Sequence, residues 1–393
     1  MTGMIHRTWA EVSLDAIAEN VNQMRRLLKP QTKLMAVVKA DAYGHGVQEV
    51  AKVLLQSGVD AFAVAFIDEA KQLRRIGVDV PIMILGHTPV EQAVDIIDLD
   101  LQPAILNFSM AKAVSNAAMR RNKTCKIHVK IDTGMTRVGF LFQDDELVKE
   151  KTVKDILDLS SMPNLEIEGI FTHLACADMK DETITFLQFE RYMELIERLN
   201  AHGLDIPVKH VCNSAAAMRY PQMHLDMVRA GIALYGIYPS NEMEKTIKLI
   251  PAMQLKTTLI QIKTVPKGTF VGYGATYCTE EETTIGTIPI GYADGYSRLL
   301  SNKAEVIIGG KRVPVIGTIC MDQCMINLRN VNNINVEDEV TIFGTDGMAR
   351  VSIEEVASWM GTINYEMLCV IGKRVPRVYL MDGEIAGVKN YLV

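Results

Sequence analysis

Short apolar runs alternate with longer amphipathic stretches from about residue 13 to about residue 242 of this 393-residue chain. The apolar runs, at 34–38, 61–66, 81–85, 103–106, 126–131, 167–172, 208–212 and 227–230, read as strands. Between them, stretches such as Val47 to Leu55, Asp68 to Ile76, Met110 to Arg120 and Phe186 to Asn200 return an apolar residue every three or four positions, as a helix with one face on a core does. Eight such units in succession predict an α/β fold, a closed (β/α)₈ TIM barrel over residues 13–242; an open doubly wound sheet is the alternative.

Beyond about residue 243 the pattern changes. Residues 253–265 are rich in Thr, Ile, Leu and Val, Gly309-Gly310 separates two strand-like runs as a hairpin turn would, and Val340-Thr341-Ile342-Phe343 is another short strand. One helix interrupts, starting at Ser352 with Glu355 at the capping-box spacing and stopping near Gly361. Residues 243–393 therefore predict a second, mainly β domain. The extended-looking Thr8-Trp9-Ala10-Glu11-Val12, before a helix N-cap at Ser13, could join either domain.

Composition narrows the partners. Hydrophobic residues make up 48%, enough for a sizeable core, and 41 basic against 47 acidic residues give a net charge of −6 with no block of like charge. Neither nucleic acid nor an anionic membrane is suggested, so small molecules or proteins are the expected partners. The first residues lack an apolar signal core and no window approaches the roughly 18 apolar residues of a membrane span, which points to the cytoplasm. Seven scattered cysteines fit a reducing compartment better than a disulfide framework. The spacings His173-x-x-Cys176 and Cys320-x-x-x-Cys324 supply too few ligands for a structural zinc, so no metal is expected.

In a (β/α)₈ barrel the reactive groups gather at the carboxyl ends of the strands, and phosphates are usually held by the loops after strands seven and eight. Lys39 ends the first apolar run and precedes Gly44-His45-Gly46. Asn213-Ser214-Ala215-Ala216 follows strand seven, offering a hydroxyl and backbone N–H groups at a helix start; Ser214 as a simple N-cap is the other reading. Arg229-Ala230-Gly231-Ile232 follows strand eight, where glycine permits close backbone approach. A primary amine facing a phosphate cradle suggests pyridoxal 5'-phosphate, a carbonyl cofactor held as a Schiff base. The third glycine of a dinucleotide fingerprint is missing and there is no P-loop.

These residues carry a resemblance to the alanine racemase family that runs from end to end. Its most specific segment is Val37-Val38-Lys39-Ala40-Asp41-Ala42-Tyr43-Gly44-His45-Gly46, similar throughout to the family's cofactor-attachment motif. Lys130-Ile131-Asp132-Thr133-Gly134-Met135-Thr136-Arg137, Thr172-His173, Asn213-Ser214-Ala215-Ala216, Val228-Arg229-Ala230-Gly231-Ile232, Tyr273-Gly274-Ala275-Thr276, Gly291-Tyr292-Ala293-Asp294-Gly295, Cys320-Met321-Asp322-Gln323 and Ile363-Asn364-Tyr365-Glu366 follow in the family's order. The resemblance implies a homodimer in which each active site joins one subunit's barrel to the other's β domain. It also implies racemisation between L- and D-alanine through an external aldimine with two bases: Lys39, and Tyr273 from the other subunit. Broader-specificity or serine racemases of the same family remain an alternative, and whether the reaction makes D-alanine for cell-wall precursors or degrades it stays open.

The resemblance further assigns Tyr43, Ser214, Gly231, Ile232 and Tyr365 to the cofactor phosphate, with Asn213 beside them, and sets His173 against the ring and Arg229. Arg137, and the backbone of Met321 from the other subunit, are to meet the substrate carboxylate. Lys130 falls on the strand face opposite Ile127, Val129 and Ile131, inside the barrel, where an unpaired cation is expensive; the family's answer is a carbamylated lysine, and a side chain reaching solvent is the alternative. Arg229 argues against an amino-acid decarboxylase, which has the same architecture but a carboxylate near the pyridine nitrogen. The β domain bearing Tyr273 argues against a non-catalytic carrier of the cofactor built on a single barrel. The approach corridor of the family corresponds here to Asp178, Tyr292, Arg298, Thr318, Ile363 and Tyr365; threonine at 318, a position that is often basic in relatives, removes a charge.

Overall fold

The computed structural model describes residues 7–393, so residues 1–6, which belong to the stretch read above as lacking a signal core, lie outside the described residues. The chain divides into two compact units: residues 17–42 with Val47–Ile250, and the residues up to Ala16 with Tyr43–Gly46 and Pro251–Val393.

The first unit is the expected barrel. Its eight parallel strands are Lys33–Val37, Ala61–Val64, Ile82–Ile84, Gln102–Ile105, Cys125–Asp132, Leu165–Phe171, Val208–His210 and Met227–Ala230. They neighbour one another in chain order and the eighth pairs with the first, Val228 opposite Leu34. Among the described residues two backbone bonds span the seam between strands seven and eight, Asp226 N–H to Lys209 O and Arg229 N–H to Cys212 O, both 3.1 Å. The barrel is nearly closed. A further short strand, Phe140–Leu141, folds back in parallel against the end of strand five.

Helices cover the outside because their apolar positions recur on one face: Val47, Val50, Ala51, Val53 and Leu54 are the buried residues of Val47–Gln56. Side chains start several of them. Asn107 accepts the Met110 N–H at 3.0 Å to open Phe108–Arg120, and Asp145 accepts the Val148 N–H at 3.2 Å to open Glu146–Ser160.

The second unit is built on a twisted eleven-stranded sheet. Thr8–Ser13 lies inside it, antiparallel to Met253–Thr258 and parallel to Arg377–Met381. Ser13 then caps the following helix by accepting the Ala16 N–H at 3.1 Å. Gly309 and Gly310, at φ 56° and 70°, make the two-residue turn between Glu305–Ile308 and Lys311–Ile316 that only left-handed residues allow. The helix Ile353–Met360 has the full capping box of Ser352 and Glu355, and it ends on Gly361 at φ 76°. No helix among the described residues is long and apolar enough to cross a membrane.

Candidate active site

Strand five turns a row of polar side chains inward. Lys126 lies at the exposed rim, 2.8 Å from Glu168, while His128, Lys130 and Asp132 are all buried. The register between strands five and six shifts at Ile127/His128, where the neighbouring position is Gly169. A Cβ at 169 would stand 2.2 Å from His128 Nδ1, so the imidazole occupies space that only glycine leaves.

Arg229, on strand eight, fixes the hydrogen-bond directions around it. Its Nη1 lies 3.0 Å from both His210 Nδ1 and His210 O, and its Nη2 donates to Thr172 O at 2.8 Å and Val211 O at 3.1 Å. A guanidinium has no acceptor atom, so His210 Nδ1 must be unprotonated and its proton must sit on Nε2. That N–H points at His128 Nδ1, 2.9 Å away, which puts the His128 proton on Nε2, 3.2 Å from Gln102 Oε1. The relay Gln102–His128–His210–Arg229 thus has one direction throughout, with both imidazoles neutral. Burial pulls His128 down to about 4 and His210 well below the usual histidine range, with Arg229 the next cause for His210. Arg229 makes no bond to a carboxylate among the described residues. Its charge is met by three carbonyl dipoles and two ring nitrogens, and burial brings its pKa to about 10, still cationic at neutrality.

Lys130 is also inside, 4% exposed, with its Nζ 2.6 Å from Ile131 O and 5.3 Å from the centroid of Phe171. Burial first, then Arg229, pushes its pKa down to about 7. Its neighbour Asp132 accepts the N–H groups of Gly134, Thr136 and Arg137 at 3.0, 2.9 and 2.9 Å, so one buried carboxylate shapes the turn that carries Arg137. The Arg137 guanidinium is exposed and has no bond among the described residues. His173 gathers these cations: Arg229 Nη2 is 3.3 Å from its Nδ1, and burial followed by Arg229, Arg137, Lys130 and Lys39 holds it well below its ordinary pKa. The His173 carbonyl is braced by Gln188, a fully buried side chain with no sequence signal of its own.

Lys39 comes two residues after the end of strand one, which stops at Val37 with its carbonyl accepting the Tyr235 hydroxyl at 3.0 Å. The residues that follow turn left-handed: Ala40, Asp41, Ala42 and Tyr43 have φ of 53°, 54°, 56° and 52°. For residues with a Cβ this costs about 1–2 kcal/mol each. Glu69 holds the turn, its carboxylate accepting the Ala40 N–H at 2.6 Å and the Ala65 N–H at 2.7 Å, and Asp41 accepts the Val47 N–H at 2.8 Å. Gly44 and Gly46 continue the turn at φ 78° and 88°, so the strained part precedes the glycines.

Asn213, not Ser214, caps the short helix after strand seven, accepting the Ala216 N–H at 3.0 Å. That leaves the Ser214 hydroxyl to bridge the two loops. It accepts the N–H of Gly231 at 2.8 Å and of Ala233 at 3.5 Å, and keeps its own proton for an acceptor such as a phosphate oxygen. Ile232 follows at the start of a buried 3₁₀ turn, Ile232–Tyr235.

The other unit carries the remaining residues. Tyr273 stands on a turn with Gly272, Gly274 and Ala275 at φ 73°, 74° and 49°, and its side chain is exposed. The Met321 loop is zipped to the next turn by Tyr292 N–H to Cys320 O at 3.1 Å and Ala293 N–H to Met321 O at 3.0 Å. That turn is anchored by Asp294, which is fully buried, accepts the Gly291 N–H and receives both Arg7 Nη groups at 2.9 and 2.6 Å. The Met321 N–H has no acceptor among the described residues. Tyr43 and Tyr365 face each other with ring centroids 6.2 Å apart, and burial raises the Tyr43 phenol so that it stays protonated at neutrality.

A barrel with a lysine after strand one, a hydroxyl joining the loops after strands seven and eight, and a carboxylate-free arginine among neutral histidines defines a class of catalytic barrel. Residues 12–239 match the alanine racemase N-terminal domain family and residues 252–379 the alanine racemase C-terminal domain family. The chain is 45% identical to the alanine racemase of Methanococcus maripaludis, covering 95% of this chain and 99% of that one, and 43% identical to that of Clostridium tetani, covering 98% of each. It superposes on the solved alanine racemase of Clostridium difficile 630 with a TM-score of 0.93 at 41% identity, covering 99% of this chain and all of that one. The Bacillus anthracis alanine racemase, solved with bound L-Ala-P, gives a TM-score of 0.92 at 37% identity, covering 100% of this chain and 99% of that one. The chain belongs to the alanine racemase family.

The relay inside the barrel makes a checkable demand. Gly169→Ala should drive a methyl group into His128 and destabilise the barrel by about 1–3 kcal/mol, as overpacking does, read as a lower denaturant midpoint. An unchanged midpoint would mean that His128 does not occupy that space.

Proposed function

We propose that this protein interconverts L- and D-alanine with pyridoxal 5'-phosphate bound at the open end of the barrel, as a homodimer with shared active sites. The observation that carries this reading is Arg229, a buried cation bonded only to neutral acceptors. It can donate to a pyridine nitrogen but cannot protonate it, which separates a racemase from a decarboxylase on the same architecture. The residues present fit the cofactor. Ser214, with its oxygen held by Gly231 N–H and its proton available, suits a phosphate, as do the neighbouring Asn213, Gly231 and Ile232; in the other unit, the phenols of Tyr43 and Tyr365 have the chemistry to donate to a phosphate. Lys39 offers the amine for attachment, and neutral His173 suits contact with the ring.

Racemisation removes the α proton from one face and returns one to the other. A placed base contributes about 10²–10⁴-fold, and enzymes commonly reach at least about 10⁶-fold. The bound cofactor supplies the electron sink that closes the difference. Lys39 then holds the proton on the D face and the partner subunit's Tyr273 on the L face. Arg137, a cation without an ion pair among the described residues, and the partner subunit's Met321 N–H, which has no acceptor among the described residues of its own chain, bind the substrate carboxylate. The exposed side chains of Tyr273, Phe270 and Met321, the first two lining one cleft, support presentation to a second copy.

Lys130 has the chemistry for carbamylation. With a pKa near 7, a large share of the amine is neutral at neutral pH; its nitrogen attacks the carbon of CO₂, an N–C bond forms and one amine proton leaves. The resulting anion would sit beside Arg229 and Arg137 and relieve the local excess of positive charge.

Tyr273→Phe should lower racemisation by about 10²-fold or more while cofactor absorbance is retained, as followed by optical rotation from L-alanine. Full turnover would reject the two-base reading. In ¹³C NMR with labelled bicarbonate, a carbamate signal should grow as pH rises through the Lys130 pKa of about 7, fade below it, and vanish in Lys130→Ala. Absence of the signal on the alkaline side would rule the modification out.

A further inference from the structure

Thr318 is 6% exposed, although the turn it supports presents Tyr273 at 69% exposure. Its hydroxyl lies 2.8 Å from the Tyr273 carbonyl and 3.1 Å from the Thr276 hydroxyl. A carbonyl only accepts, so Thr318 must spend its proton on Tyr273 and take the proton of Thr276. Thr276 in turn accepts from Asn302 Nδ2 at 3.2 Å, and Asn302 Oδ1 accepts the Gly317 N–H at 2.6 Å. Since an N–H can only donate, Gly317 fixes which way the Asn302 amide points. Every link has one direction, and the circuit closes on itself through the Gly317–Thr318 peptide.

The backbones meet closely enough for this circuit to hold them. A Cβ on Gly317 would lie 2.7 Å from Val271 O, and one on Gly272 would lie 3.2 Å from Thr318 N. The phenol of Tyr273 has no hydrogen bond among the described residues, so within one chain the polar hold on this residue is through its peptide. Among corridor positions, threonine at 318 is thus more than an absent charge.

We infer that Thr318, with Thr276 and Asn302, is a positioning residue that aims the Tyr273 phenol by clamping its carbonyl. The inference rests on the proposed role of Tyr273 as the base for the L face. A base must come within hydrogen-bond reach of the proton it moves, and a misplacement of about 1 Å can slow a reaction about 10²-fold.

The test uses the holoenzyme and alanine deuterated at the α carbon. In Thr318→Val, which keeps the shape and removes the donor, turnover should fall on the order of 10- to 100-fold. The primary isotope effect should rise with deuterated L-alanine and not with deuterated D-alanine, because only the transfer at Tyr273 becomes slower. Thr318→Ser should restore both. Equal loss in both directions with unchanged isotope effects would assign Thr318 a merely structural role and overturn the inference, as would wild-type behaviour of Thr318→Val alongside an inactive Tyr273→Phe. Full activity in Tyr273→Phe would instead sink the underlying function. Should Thr318→Val not fold, Thr276→Val, at an exposed position, must raise the same isotope effect; no change there overturns the inference.

Discussion

The barrel interior is organised by one buried cation. Arg229 can only donate, so each group it touches is forced to be an acceptor, and the constraint passes through His210 and His128 to Gln102. The cost of burying a guanidinium without a counter-ion is offset by carbonyls of Thr172, His210 and Val211 and by the Phe171 face, 5.3 Å from its centre. Phe171 also stacks on His210, at 5.0 Å and 10° between planes, which fixes the ring that Arg229 bonds. Electrostatics here acts on geometry first, and on protonation as a result.

Most of the fold was legible because a parallel barrel strand is buried on both faces and reads as a short continuous apolar run. All eight runs fall on strands, and the capping box at Ser352 and the double-glycine turn at 309–310 form as their chemistry dictates. The short strand Phe140–Leu141 was not legible: two residues give no period, and its pairing depends on the turn that Asp132 builds. Nor could the pattern decide where Thr8–Ser13 belongs, since an extended segment suits any sheet edge until its partners are known.

For the site, motifs pointed to Lys39, Lys130, Arg137, His173 and Arg229, and the structure gathers these cations around His173. The relay behind them was invisible in the sequence. His128 and His210 are 82 residues apart, neither lies in a motif, and the shift beside Gly169 that admits one of them has no local signal. The helix after strand seven shows a different limit: adjacent Asn213 and Ser214 are both good caps, and only the three-dimensional position of Gly231 frees the serine for another task.

The left-handed run from Ala40 to Tyr43 has a consequence for engineering. Glycine at Ala40 or Ala42 would relieve torsional strain in the native state, yet would also let the unfolded chain and the native loop wander more widely. Such replacements would therefore trade torsional relief for a looser loop beside Lys39. At this stretch, torsional ease and rigidity are set against each other by the handedness of four residues.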